Sequence, residues 1–109
     1  MKLADLKPED VRDLVKVQGY SIVSNQILEG GLPIQFMYRE EPIDEEDSGW
    51  RFLSGSEDQE YLDDADNSKF IGVNTVANLD ETIIPYLRYP KGSELERTED
   101  KKGFINIEE

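Results

Sequence analysis

Glycine and proline divide this 109-residue chain into short segments. Turn signals stand at 29–33, at Pro42, at Gly55 and around Pro90, and each separates stretches of different hydrophobic pattern. These stretches do not alternate strictly as strand and helix. The pattern therefore predicts an α+β fold, with an antiparallel or mixed sheet of about five to six strands and helices packed on it. We expect one domain over 1–109, made of an N-terminal helical part (1–19) and a following region (20–108).

The N-terminal part carries the pattern of a helix. Pro8–Asp10 places a proline and two acids where a first helical turn favours them. Val11, Leu14 and Val15 then repeat at i, i+3 and i+4, and Gly19 is a suitable end. A helix over about residues 8–17 is predicted.

Two more short helices are expected further along. Ser56, followed three residues later by a glutamine, forms a capping box and predicts a helix from about Glu57 to Asp63. With Thr82 as N-cap, Pro85 falls at the third helical position, where its missing N–H costs little. A short helical or 3₁₀ turn is therefore expected around Ile83 to Leu87.

Strand patterns fill the intervals between these helices. Ile34, Phe36 and Tyr38 alternate with polar or less apolar neighbours, which is typical of a half-buried strand, and this strand most simply forms a hairpin with 20–28. The other predicted strands are 50–53, 70–76 with an interruption at Gly72, and a terminal hairpin of 93–98 with 103–107.

The charge balance is strongly acidic, with 12 Lys and Arg against 25 Asp and Glu and a formal net charge of −13. Nucleic acid and anionic lipid carry the same sign, so neither is an expected partner. A basic protein partner is the electrostatically natural alternative.

Cysteine and histidine are both absent from the sequence, which removes thiolate zinc sites, cysteine nucleophiles and imidazole bases. No apolar run approaches the roughly 20 residues of a membrane helix. The start, Met1-Lys2-Leu3-Ala4-Asp5, has an early acid and no apolar core, so no signal peptide is predicted and a cytoplasmic location is expected.

Two acidic stretches, starting at Asp44 and Asp64, carry part of the pattern of a calcium-binding loop. A loop starting at Asp64 places Lys69 where glycine is needed and Thr75 where the final glutamate is needed. A loop starting at Asp44 places Gly55 at that final position. Neither register fits, so we predict no metal site and no cofactor.

Three acids, Glu57, Glu60 and Asp64, would share one face of the short helix. Paired carboxylates can perform hydrolysis when one of them has a raised pKa. A solvated, mutually repelling helix face is the plainer interpretation. A carboxylate-dependent hydrolase therefore remains a minor alternative to a binding protein.

Trp50 and Arg51 follow the most acidic stretch, residues 40–48. Their composition is that of an interface hot spot, and equally that of a core tryptophan beside an outward arginine. Alternation places Trp50 with Phe52 on one face and Arg51 with Leu53 on the other, which favours Trp50 in the core.

The acidic stretch is either a surface that steers a basic partner or a loop kept soluble by its charge. Composition leaves these two interpretations open. As a candidate partner surface we take this stretch with the nearby start of the short helix. Its residues are Asp44, Glu45, Glu46, Asp47, Arg51, Glu57, Asp58 and Glu60.

The run from Gly49 to Asp64, GWRFLSGSEDQEYLDD, resembles the main sequence block of the immunity protein 33 family of bacteria. The segments 74–78 (NTVAN), 83–87 (IIPYL) and 92–97 (GSELER) are similar to the later blocks of that family. The resemblance covers about residues 20–108.

The resemblance implies a cytoplasmic antidote that binds and silences the toxin of a polymorphic toxin system, and it supplies no catalytic residues. The net charge adds a hypothesis of our own, in which the toxin is a nuclease and the acids stand in for the nucleic-acid backbone. A small regulatory or interaction module with another partner is the alternative.

Overall fold

Within the described part of the chain, six strands form one sheet in the order β4-β1-β3-β2-β5-β6. The computed structural model describes residues 2–107. Strands β1 and β3 run parallel, and the other neighbouring pairs are antiparallel. The sheet is therefore mixed, and the α+β fold class is confirmed. The strands are β1 (Tyr20–Ser24), β2 (Phe36–Arg39), β3 (Asp47–Leu53), β4 (Ser68–Gly72), β5 (Glu94–Arg97) and β6 (Phe104–Asn106).

The helices are all short, and most of them lie against one face of the sheet. The α-helices are α1 (Asn25–Leu28), α2 (Gln59–Asp63) and α3 (Val73–Leu79). The 3₁₀ helices are Leu3–Asp5, Pro8–Asp10, Ala65–Asn67 and Glu81–Tyr86. Within residues 2–107, no helix has the length and apolar character needed to cross a bilayer.

The core lies between one face of the sheet and the helices α1 and α3. Met37, Trp50 and Phe52 are fully buried on this face, which we call the covered face. They alternate with residues of the opposite face, as the pleat requires. The indole N–H of Trp50 donates to the Leu87 carbonyl at 3.0 Å, so its polar atom is satisfied. The prediction of Trp50 and Phe52 in the core is confirmed.

The predicted helix over 8–17 is wrong, since only Pro8–Asp10 forms a 3₁₀ turn and residues 11–18 have no regular structure. Two asparagines of α3 take up the backbone groups of this segment. The Leu14 N–H donates to Oδ1 of Asn74 at 2.8 Å, and the Arg12 N–H donates to Oδ1 of Asn78 at 3.0 Å. Leu14 packs on the core, so the predicted apolar side is present. Residues 11–18, however, form an irregular segment, which we call the N-terminal strap.

The predicted hairpin of 20–28 with 34–39 is also wrong, because β3 lies between β1 and β2. The Ser24 hydroxyl accepts from the Gln26 N–H at 3.1 Å and starts α1 directly after β1. The chain therefore leaves the sheet at Ser24 and cannot turn back beside its own strand.

The strand predicted over 70–76 ends at Gly72, where α3 begins. Val73, Val76 and Ala77 are buried at i, i+3 and i+4, which is helical spacing. That spacing is the signal that would have predicted α3.

Several local predictions are confirmed with shifted starts. Helix α2 ends at Asp63 as expected but begins at Gln59, because Asp58 caps it by accepting from the Tyr61 N–H. The 3₁₀ helix Glu81–Tyr86 is capped by Asp80 in place of Thr82. The terminal hairpin forms as predicted, with β5 paired to β6.

Candidate binding surface

The acidic loop, defined here as residues 40–46, is held to the sheet by one guanidinium group. Arg51 binds Asp47 with two nitrogens, at 2.9 and 2.7 Å, and donates from Nε to Glu40 at 2.5 Å. Asp47 in turn accepts from the backbone N–H groups of Ile43 and Gly49, both at 2.8 Å. These contacts fix both ends of the loop.

The ion pair between Arg51 and Asp47 is almost completely buried. The side chains of Arg51 and Asp47 are 3% and 0% exposed, while Glu40 is half exposed. The hydrogen bonds from Arg51 hold the pKa of Asp47 well below its usual range, although burial opposes the shift. Burial also disfavours the Arg51 cation, but the hydrogen bonds to the two carboxylates outweigh it and raise the pKa of Arg51. This network is a clamp for the loop.

Two glycines allow the acidic loop to approach the sheet closely. Gly19 has φ of +99°, and a Cβ there would lie 2.3 Å from the Glu46 carbonyl oxygen. Gly49 has φ of +86°, and its Cβ would lie 2.5 Å from the Glu40 carbonyl oxygen. A side chain at either position would therefore displace the loop.

The eight predicted surface residues do not lie together. Asp47 and Arg51 are buried in the clamp, so they present almost no surface to a partner. Asp44, Glu45 and Glu46 are exposed in the loop that precedes β3. Glu57, Asp58 and Glu60 follow the other end of that strand, which is about 20 Å long. The start of α2 was predicted to lie near the loop, but all of β3 separates the two.

Glu57 has a local structural role. Its carboxylate accepts from the Ser54 N–H and the Gly55 N–H, both at 3.0 Å, and from the Ser54 hydroxyl at 2.8 Å. Burial raises the pKa of Glu57, but these bonds and one from Ser24 lower it to a net value below normal. Glu57 therefore closes the turn between β3 and α2.

The stretch that follows β3 forms a second acidic surface, which we call the acidic segment (residues 57–66). It holds six acids and no basic residue. No acid of this segment forms an ion pair with any described Lys or Arg, whereas Glu40, Glu41 and Asp47 around the loop are all paired. The acids of the segment are Glu57, Asp58, Glu60, Asp63, Asp64 and Asp66.

The face of the sheet opposite the core carries a row of partly exposed apolar side chains. Cross-strand pairs Ile22–Arg51, Arg51–Tyr38 and Phe36–Leu53 place these residues on the same side. None of its apolar residues joins the buried core. We call this side the open face. Its apolar members are Tyr20, Ile22, Phe36, Tyr38, Leu53, Phe70 and Ile105.

Phe70 is the most exposed of them, at 65%. Its ring stacks on Tyr20 with centroids 4.7 Å apart and planes inclined by 18°. The Tyr20 hydroxyl donates to Asp44 at 3.0 Å, which joins the aromatic pair to the acidic loop. Burial and the adjacent Asp44 raise the pKa of Tyr20, so it stays a donor at neutral pH.

The open face is acidic as well as apolar. Glu94 and Glu96 lie on it opposite Tyr38 and Phe36. Among the described strand residues, Arg51 is the only basic one on this face, and two carboxylates already bind it. The open face therefore combines apolar side chains with carboxylates.

Sequence reasoning missed this surface. The alternation of Phe36 and Tyr38 with Met37 predicts a strand, which is confirmed, but Met37 faces the core and the two aromatic residues face outward. Both sides of β2 are apolar, so the pattern alone did not say which one the helices cover.

The carboxyl groups with a clearly shifted pKa share one direction of shift. Among residues 2–107 they are on Asp47, Glu57 and Asp100, and all three shifts are downward. A carboxylic acid that donates a proton in hydrolysis needs a shift upward. Within residues 2–107, no cluster of acids is arranged to hold a metal ion.

Fold and surface together define a small α+β domain whose mixed sheet buries one face against helices α1 and α3. A comparison with protein families matches residues 21–108 to the Imm33 immunity protein domain. The chain therefore belongs to the Imm33 immunity protein family, as the resemblance predicted. Comparisons with curated proteins and with solved structures gave no match.

Proposed function

We propose that this protein is a non-enzymatic antidote that binds one toxin in the bacterial cytoplasm and blocks its activity. Membership of the Imm33 family is the observation that carries this proposal, because the family is one of toxin-neutralising proteins. The half-covered sheet and the lowered carboxyl pKa values agree with a binding role.

The toxin is expected to be basic. The net charge is −13, and the acids of segment 57–66 carry no basic partner among the described residues. A field of this sign raises the association rate of a cationic protein and repels nucleic acid. A nuclease fits best, because its active site must attract phosphate, and the exposed acids would occupy that site as the nucleic-acid backbone does.

The predicted partner surface is revised within this proposal. Asp44, Glu45 and Glu46 of the acidic loop, and Glu57, Asp58 and Glu60 beyond β3, supply charge toward the toxin. Asp47 and Arg51 act from inside the protein by holding the loop in place.

Co-expression tests the function directly. A toxin domain found encoded beside this gene is induced in a bacterial host with and without the present protein. We expect growth to be restored when the protein is present, and an inactivated toxin to co-purify with it at low salt. The matched control is a different Imm33 protein expressed to the same level. A toxin that kills equally in both strains, or a gene without a neighbouring toxin, contradicts the antidote and leaves a regulatory module.

A further inference from the structure

We propose that the toxin binds on the open face of the sheet, centred on the stacked rings of Tyr20 and Phe70. The occupant is a cationic, arginine-bearing segment of the toxin. This inference rests on the proposed function, because it names the surface through which neutralisation occurs.

The first argument is the aromatic pair itself. Phe70 exposes 65% of its surface, yet its ring is fixed against Tyr20 at a centroid distance of 4.7 Å. A fixed aromatic side chain loses little conformational entropy on binding and buries a large apolar area. Tyrosine is also enriched among the residues that dominate binding energy at interfaces.

The second argument is the carboxylate beside the rings. Oδ2 of Asp44 accepts from the Tyr20 hydroxyl, and the clamp of Arg51 and Asp47 fixes the loop that carries it. An aromatic face next to an ionised carboxylate suits a guanidinium group, which stacks on the ring and donates to the acid. The site is therefore organised before the partner arrives.

The third argument excludes a second copy of this chain as the occupant. Glu94 and Glu96 lie on the open face, and its one described strand cation, Arg51, is already paired. Two molecules of charge −13 would bring these acids against each other. Charge complementarity requires a basic surface on the other side.

The apolar surface continues across the sheet from the aromatic pair. A shallow cavity of about 170 Å³ lies between β2, β3 and β5, lined by Phe36, Tyr38, Leu53 and Ile107 among others. It offers room for one apolar or aliphatic side chain of the partner. An apolar centre bordered by acids matches the usual anatomy of an interface.

Binding of the inactivated toxin domain encoded beside the gene, measured by calorimetry, tests the inference. We expect Phe70→Ala to weaken binding by about 30-fold, as for a hot-spot residue. Phe70→Tyr retains the ring and is expected to stay within about threefold. Tyr20→Phe keeps the stacking but loses the bond to Asp44, and is expected to cost about threefold.

The matched control is Leu32→Ala. Leu32 is an apolar residue of 40% exposure, and it lies beside Ile27 and Val76 on the helix side. We expect a change of less than about twofold. Thermal unfolding of each variant checks that it is folded. Because Phe70 is largely exposed, we expect Phe70→Ala to fold normally.

The outcomes separate this inference from the proposed function. If the wild type does not bind the toxin, the proposed function fails. If the wild type binds and Phe70→Ala binds as tightly, the function stands and the open face is refuted; weaker binding of Leu32→Ala would then place the toxin on the helix side. A wild-type dimer in sedimentation that Phe70→Ala dissociates would make this face a self-interface and overturn the proposal.

Discussion

Arg51 determines the position of the acidic loop because its guanidinium meets two carboxylates where little water reaches. Asp47 is completely buried against it, and Glu40 closes the pair from the solvent side. A buried charge that loses its partner is costly, by about 3–5 kcal/mol, because the remaining charge stays desolvated. The arginine that sequence reasoning placed on the surface is thus a support for that surface.

Asp47→Asn tests this support. The amide keeps the shape of the carboxyl group but removes its charge, so Arg51 remains buried with Glu40 as its only charged partner. We expect the free energy of unfolding, measured with urea, to fall by about 3 kcal/mol. Glu45→Gln, an exposed change in the same loop, should alter it by less than about 0.5 kcal/mol. Similar small effects in both variants would contradict the clamp.

The lowered pKa of Asp47 leads us to expect that the stability of the protein depends on pH in the acid range. The pKa of this carboxyl group is lower in the folded protein than its ordinary value of 3.8, so protons favour the unfolded state. The stabilisation is complete above about pH 5 and is lost as the pH falls through about 4 and below. Urea unfolding at pH 7 and pH 3.5 should show a larger loss for the wild type than for Asp47→Asn. Equal losses would assign the acid sensitivity to other groups.

Among the secondary-structure elements, α3 organises the N-terminal strap through Asn74 and Asn78. Oδ1 of Asn74 accepts from Leu14 and Val15, and its amide donates to the Arg12 carbonyl at 2.8 Å. Asn78 binds both backbone groups of Arg12. Its Oδ1 accepts from the Arg12 N–H, and its amide nitrogen donates to the Arg12 carbonyl. Two side chains thus supply hydrogen bonds to backbone groups that would otherwise be paired within a helix.

Hydrogen exchange can separate the two asparagines. In Asn74→Ala, the amides of Leu14 and Val15 lose their acceptor, so their exchange should accelerate at least tenfold while Arg12 changes less. Asn78→Ala should show the reverse, with Arg12 most affected. The α3 amides serve as the internal control and should stay protected. Unchanged exchange at Leu14 in the first variant would show that the strap is held by packing alone.

Local chemistry predicted the elements whose determinants are close in sequence. The terminal hairpin formed around its turn at 100–103, and α2 ended where turn residues follow it. Pairing of β1 with β3 was not predictable, because nothing in β1 distinguishes it from a partner of β2. The conformation of the N-terminal strap was not predicted because it also depends on a distant residue: Asn74, which binds Leu14, lies 60 residues away in the sequence.

The candidate site was predictable in part. The acidic composition predicted a charged surface, and the structure exposes Asp44, Glu45 and Glu46 in the loop. Arg51 was misplaced because its burial depends on Glu40, which lies 11 residues earlier, and on the close approach that Gly49 permits. The open face was missed because β2 is apolar on both sides.

At the scale of the whole molecule, two acidic clusters, the loop 40–46 and the segment 57–66, lie at opposite ends of β3, with the open face beside them. The loop is partly neutralised by Arg51 and Lys91, whereas the segment 57–66 has no described ion pair. Both regions add to the long-range field, but only the loop is joined to the aromatic pair.

Paired charge removals predict different effects of the two regions. Glu45→Gln with Glu46→Gln should lower the rate of toxin association at low salt by about tenfold and reduce its salt dependence, with little change in dissociation. Glu60→Gln with Asp66→Asn removes the same charge from the segment and should slow association by less than about threefold. Stopped-flow mixing from 50 to 500 mM NaCl measures both. The reverse order would place the toxin at the segment.

Hydrogen-exchange mass spectrometry of the complex tests the central claim most directly, that a basic toxin covers the open face. We compare the free protein with its complex with the inactivated toxin domain encoded beside the gene. The account predicts slower exchange in the peptides covering β4, the loop 40–46 and the start of β1, with α3 and Glu81–Tyr86 unchanged. Protection confined to the helices, with β4 and the loop exchanging as before, would contradict it.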